Sequence, residues 1–232
     1  MFPAFRHAGT VAHPSLGVVR FEIRELSEDP DTQVDQTISL MRQYALEDSQ
    51  APVIIMDSLT AKEGDPIEDT WNYLSRKDGI RQMQFVHDET TGRPWGDIGR
   101  WNPIVETLIR PADQVTLIRP QGDCDDFAMY GAAHLLARGV PCSFCTVAAD
   151  DGDPSIYSHV YLVAYPRTGL HAGKRVPLDL SHGWYAGWET ENKFGKRREW
   201  PVSASPGMWP CAIAAGVIGG FILYKILAGG IN

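Results

Sequence analysis

Between Cys124 and Leu180 the sequence spells one helix followed by three strands, and that succession limits the fold more than any other feature. Phe127, Ala128, Gly131, Ala132, Leu135 and Leu136 recur at helical spacing on one face. Gly139 is placed to end that helix, and Pro141 forbids its continuation. Residues 143–149 and 156–165 then read as strands joined by an Asp/Gly/Pro turn, and 175–180 as a third. One helix leading into an antiparallel meander predicts an α+β domain with the helix packed on the sheet. Upstream, Val34, Ile38, Met41 and Ala45 predict a helix over 32–48, and 53–59 reads as a second. Asp65-Pro66-Ile67-Glu68 reads as N-cap, Pro at N1 and Glu at N3 of a third, which ends near Gly79. Residues 1–32 look irregular apart from strand character around Val18 to Ile23. Met83-Gln-Phe-Val reads as a short strand, and Pro103, Pro111 and Pro120 cut the rest into short pieces.

The chain of 232 residues has room for one full hydrophobic core, and its net charge of −8 argues against nucleic acid as a partner. The charge is uneven. Every acidic residue lies at or before Glu199, and Lys193, Lys196, Arg197 and Arg198 form a short basic cluster. Beyond Trp200 the sole charge is Lys225, and the run from Cys211 to Leu227 is almost wholly apolar. Its length is near the lower limit of the ~17–25 residues that span a bilayer, so a membrane helix is expected over 208–228. Gly216 and Gly220 would let two such helices approach closely and self-associate. The expected organisation is an irregular segment at 1–32, a catalytic domain at 33–190, a basic, Pro-containing linker at 191–207 and the membrane helix. Met1 to Ser15 holds no apolar signal-peptide run, and four cysteines are too few for a disulfide scaffold, so reduced thiols are expected.

Gly122-Asp-Cys124-Asp-Asp sets a cysteine among carboxylates where loop turns into helix. A helix N-terminus stabilises a thiolate through its partial positive charge and its free N–H groups. The same groups can receive the oxyanion formed when the sulfur attacks a carbonyl. Asp123, Asp125 and Asp126 suit that helix end as caps, provided they turn away from the sulfur. A thiol needs a base. His134 lies about three turns beyond Cys124, too far to touch it. His159, in a strand run, and His182, in a Ser-His-Gly loop, are the placed candidates, with His159 the more rigid. Asp179, in Pro-Leu-Asp-Leu, requires a partner if buried and suits the role of holding the imidazole through its Nδ1–H. The alternative is a buried small cysteine, a satisfied core histidine and a strand-end aspartate.

Gly122-Asp-Cys124-Asp-Asp-Phe-Ala, Gly139-Val-Pro141, Ser-His159-Val-Tyr-Leu and Pro-Leu-Asp179-Leu resemble, in that order, the transglutaminase-like cysteine enzyme superfamily, and are similar to its bacteriophage-encoded members. Gln84-Phe-Val-His-Asp88 and Glu106-Thr-Leu-Ile-Arg-Pro111 resemble the lead-in. The match covers roughly 33–185. The resemblance implies a papain-like core with Cys124 as nucleophile, His159 as base and Asp179 as its orienter, no metal and no cofactor. Relatives hydrolyse amides or transfer the acyl group to an amine, and some are inactive. The Cys124 N–H is the natural oxyanion donor, with Gln121, Gln114 and Asp123 as candidates around it. Val160 stands where an aromatic residue usually follows the histidine.

The expected substrate is a peptide or protein amide, with cell-wall peptide among the candidates. The expected location is a virion or a bacterial inner membrane, with lipid as a partner through the C-terminal helix. The basic cluster before the tail predicts a main domain on the cytoplasmic side, which is awkward for a cell-wall substrate. The rival function is an inactive structural or adaptor domain of a virion or membrane, using Trp184, Trp188, Trp200 and Trp209 as an interaction surface. Pro141-Cys142-Ser-Phe-Cys145 with His87-Asp-Glu89 matches the parts of a zinc deaminase signature, but the cysteines lead into a strand where that chemistry requires a helix.

Overall fold

The computed structural model describes residues 4–13, 17–27, 29–61, 64–77, 79–86, 108–117, 119–149 and 154–202. The elements are β1 (Ala4–His13), β2 (Gly17–Glu25), α1 (Pro30–Asp48), α2 (Pro52–Thr60), α3 (Pro66–Leu74), β3 (Gln84–Phe85), α4 (Pro111–Thr116), β4 (Gln121–Gly122), α5 (Cys124–Ala137), β5 (Cys142–Val147), β6 (His159–Ala164), β7 (Val176–Leu178) and β8 (Arg197–Pro201). The fold is α+β. An antiparallel sheet of order β7-β6-β5-β8 carries α5 on one face, and α1, α2 and α3 pack around that helix.

Proline at N1 starts each of α1, α2, α3 and α4, where its missing N–H costs nothing. Asp29 caps α1 by accepting from the Thr32 N–H at 2.9 Å, and Asp65 caps α3 from the Ile67 N–H at 2.9 Å. The Glu68 carboxylate does not complete a capping box. It meets His171 Nε2 at 2.6 Å and ties α3 to the turn after β6. Helix α5 ends as its Gly-Val-Pro sequence requires. Gly139 has φ +74°, and the N–H groups of Gly139 and Val140 donate back to Leu136 and Leu135.

Residues 125–136 of α5 are buried on every side, so this helix is the centre of the core and not an amphipathic lid. Gly131 explains how closely it lies on the sheet. A Cβ there would stand 2.5 Å from Leu180 Cδ1 and 3.2 Å from Leu162 Cδ2. Alternation along β5 and β6 sends Cys142, Phe144, Val160, Leu162 and Ala164 toward the helix, and Cys145, Val147, Tyr161 and Val163 to the opposite face. Cys142 and Cys145 therefore cannot form a C-x-x-C redox or zinc pair. Burial pushes both thiols up, which leaves them inert packing residues.

Two segments correct the sequence reading. Residues 1–32 were expected to be irregular, yet β1 and β2 pair antiparallel from Ala4↔Glu25 to His13↔Gly17. The basic linker expected at 191–207 contains β8, which pairs antiparallel with β5 and carries the domain to Val202. Its cations are spent within the fold: Lys196 meets Asp31 at 2.7 Å, Arg198 meets Asp35 at 3.2 Å, and Arg197 meets Glu189 at 3.4 Å. Among the described residues no helix is long and apolar enough to cross a membrane. The helix expected over 208–228, with Gly216 and Gly220, lies outside the described residues.

Candidate functional site

Cys124 opens α5, and what precedes it is built to hold it there. Gly122 has φ +155°, and a Cβ at that position would stand 2.0 Å from Asp126 Oδ2. Glycine is therefore the residue that lets the chain turn into the helix while Asp126 folds back. Asp126 Oδ1 accepts from the Ile109 N–H at 2.7 Å, and Asp123 caps the helix by accepting from the Asp125 N–H at 3.4 Å. Asp123 thus acts as a cap, while Asp126 bonds a main-chain group outside the helix. The Cys124 N–H sits at N1, among the groups a helix leaves without an internal acceptor.

A relay from the other helices fixes the approach strand. Asp48, at the end of α1, accepts from the Ala112 N–H at 3.0 Å and pairs with Arg110, which seats α4. Gln114 on α4 is fully buried. Its Nε2 donates to the Gln121 carbonyl at 2.6 Å and its Oε1 accepts from the Gln121 N–H at 3.0 Å. Both polar atoms of the Gln114 side chain take part in that clamp. Gln121, the other glutamine candidate for an oxyanion donor, is half-buried three residues before Cys124.

His159 opens β6 and Asp179 follows β7. His159 Nε2 lies 2.8 Å from Asp179 Oδ2. The sequence reading assigned this contact to Nδ1; the structure uses the other nitrogen. The register explains it. Leu162 pairs with Leu178, so one step further Asp179 stands across from Tyr161 and diagonal to His159. A diagonal pair is ~7–8 Å apart along the backbone, and only the far ring nitrogen spans that gap. Nδ1 is then the nitrogen available to a thiol. Asp179 is fully buried and also accepts from the Ser181 hydroxyl at 3.0 Å, the His182 N–H at 2.9 Å and the Thr190 hydroxyl. Burial opposes its ionisation most strongly, but the bond to His159 and these further donors outweigh it and hold the carboxyl down at about 2.

Helix and strand geometry bring the two halves to one end. Leu162 and Leu180 lie against Gly131 at mid-helix. The Tyr165 N–H donates to the Pro141 carbonyl at 2.8 Å, so the far end of β6 adjoins the far end of α5. Going back seven residues along the helix covers ~10 Å. Going back three along the strand covers ~10 Å as well. The backbones of Cys124 and His159 are the positions reached, and alternation turns the His159 ring to the face that carries Tyr161. Phe85 pairs with Gly122 in the β3–β4 ladder, and its ring meets Phe127 at 6.2 Å and His182 at 5.1 Å. His182 in turn stands edge-on to His159 at 4.9 Å, while Tyr161 stacks on the other part of that ring at 6.0 Å.

Sequence reasoning missed Tyr161, Phe85, Ser181 and Thr190 as partners of the site. Ser181, two residues after Asp179, carried a local signal, because an aspartate readily bonds groups two residues on. Thr190 arrives through a loop and carried none. His159, Asp179 and His182 each offer one donor atom, all within 4.8 Å of one another, a nitrogen and oxygen set that suits a transition metal. Asp123, Asp125 and Asp126 form a second close group, of oxygens alone. Of the tryptophans, Trp184 is exposed, Trp188 half-buried and Trp200 buried against Thr146, so they do not form one surface. His87 and Glu89 of the deaminase-like motif, and Trp209, lie outside the described residues. No family model, no curated protein and no solved structure matches this chain.

Proposed function

We propose that this protein is a thiol-dependent amide hydrolase or acyltransferase of transglutaminase-like, papain-like type. Cys124 is the nucleophile, His159 its base and Asp179 the residue that orients the base. The observation that supports this reading is the His159 Nε2–Asp179 Oδ2 bond of 2.8 Å. Nδ1 takes the thiol proton, and the thiolate attacks the amide carbonyl. The oxyanion is received at the amino end of α5, chiefly by the Cys124 N–H, with Gln121 as the second donor. His159 returns the proton to the departing amine, leaving an acyl group on sulfur as a thioester. Water or a second amine then releases it. The substrate is a peptide or protein amide. Phage association and anchoring of 208–228 in a membrane belong to the same proposal.

The test is a screen of the full chain, beside Cys124→Ala, against cell-wall peptides and protein amides, with and without a primary amine. Turnover that Cys124→Ala abolishes supports the reading, and amine incorporation separates transfer from hydrolysis. The rival reading, an inactive adaptor, predicts no turnover and slow alkylation of Cys124 at the rate of an ordinary thiol.

A further inference from the structure

Arg76 and Lys77 follow α3 and lie beside the turn that carries Asp179. The Arg76 N–H donates to the Leu180 carbonyl at 2.8 Å, which fixes this pair of residues against the 180–183 turn. Both side chains are exposed. The Arg76 guanidinium lies 4.7 Å above the ring of Phe85, whose backbone pairs with Gly122 and whose ring meets His182. The Lys77 ammonium lies over the ring of Trp184, two residues beyond His182. Several cations of this acidic protein meet carboxylates: Arg138 meets Asp69, Arg175 meets Glu189, Lys196 meets Asp31 and Arg198 meets Asp35. Among the described residues, Arg76 and Lys77 have no carboxylate partner. An aromatic face under a guanidinium fixes its plane and leaves its N–H edge toward solvent, in the geometry that grips a carboxylate. Asp179 is committed to His159, Asp126 to the Ile109 N–H and Asp123 to the Asp125 N–H.

We infer that the site takes an anionic acyl donor, a peptide amide with a carboxylate side chain beside the reacting carbonyl, and that Arg76 and Lys77 hold that carboxylate. Phe85 and Trp184 are the platforms that position the two cations. This rests on the reading of Cys124 as a nucleophile, and the experiment separates the two.

The full chain is treated with N-chloroacetyl-glutamate and, separately, N-chloroacetyl-glutamine, probes of one shape that differ in charge. The Cys124 thiolate displaces chloride from either and forms a thioether. The rate at Cys124 is read by peptide mass analysis. The expected result is a rate about ten-fold higher for the glutamate probe at low salt, falling as salt is added, since two exposed charges contribute a few-fold each. In Arg76→Gln/Lys77→Gln the ratio of the two rates falls to about one. Both residues are exposed, and the Arg76 main-chain bond is retained, so the variant keeps the fold. Fast, selective labelling of Cys124 with equal rates for both probes would overturn the anionic-donor proposal and leave the nucleophile in place. A glutamate preference unchanged in the double variant overturns the assignment to Arg76 and Lys77. Slow labelling by both probes, no faster than at an ordinary thiol, overturns the nucleophile itself and this inference with it.

Discussion

The protein contains two histidine–aspartate pairs with the same Nε2–Oδ2 separation of 2.8 Å, His134–Asp57 and His159–Asp179, and they have been built for different ends. His134 is fully buried at mid-helix in α5. Asp57 on α2 accepts from it, from the Tyr73 hydroxyl at 2.7 Å and from the Tyr130 hydroxyl at 2.5 Å. That carboxylate locks α2, α3 and α5 together. Burial opposes its ionisation most strongly, yet the donated bonds hold it below its ordinary value, and burial pushes His134 down so that the ring stays neutral. His134 Nδ1 meets no partner, and no reactive group adjoins it. His159 instead stands at a strand end, 9 % exposed, at the same end of the fold as the first residue of a helix that carries a thiol. An identical bond is a rivet in one place and, on the function proposed above, an orienting device in the other.

The sharpest break of this comparison comes from the histidines. His159→Ala is expected to lower amide turnover about 10⁴-fold, because a positioned base contributes on that scale, and to lower thermal stability as well, because the buried Asp179 carboxylate loses a partner. Turnover kept at the parent level would move the role to His182. Next, Asp57→Ala strands three buried donors and is expected to cost about 3–5 kcal/mol, read by denaturant unfolding. A loss under ~1 kcal/mol would remove the rivet from the account. Asp179→Asn is expected to reduce turnover about 10²-fold without abolishing it, since the residue orients and does not react. A complete loss would give Asp179 a direct part in the chemistry.

The smallest effect is in pH. Asp179 has a folded value of about 2 against an ordinary 3.8, so its contribution to stability is present above 3.8 and is lost as pH falls toward 2. His134, pushed below its ordinary 6.5, costs stability once the unfolded ring protonates, from 6.5 downward. Thermal melts across this range should show both declines. Asp179→Asn should reduce the lower one, to which Asp57 also contributes, and leave the upper.

How much of this was legible follows from how local each signal is. The α5 helix, its Gly139 end and the strands β5, β6 and β7 were readable because spacing, glycine and proline act within a few residues. Gly122 was readable as part of a motif, but its reason, the room required by Asp126, is a contact visible in the folded chain alone. Strand β8 was hidden because Arg197 and Arg198 read as a solvated basic run. Arg198 is matched by Asp35, far off in sequence, and Arg197 by Glu189 across a short loop. The choice of Nε2 over Nδ1 depended on a diagonal register, and the Gln114 clamp on a seven-residue loop. Neither leaves a mark in composition or periodicity.

The central claim is tested most directly by the pH dependence of Cys124 alkylation with iodoacetamide, in the parent and in His159→Ala. The account predicts a thiol that ionises well below ~8.5 in the parent and moves back toward that value when the imidazole is removed. A profile centred at the ordinary thiol value in both proteins would contradict it.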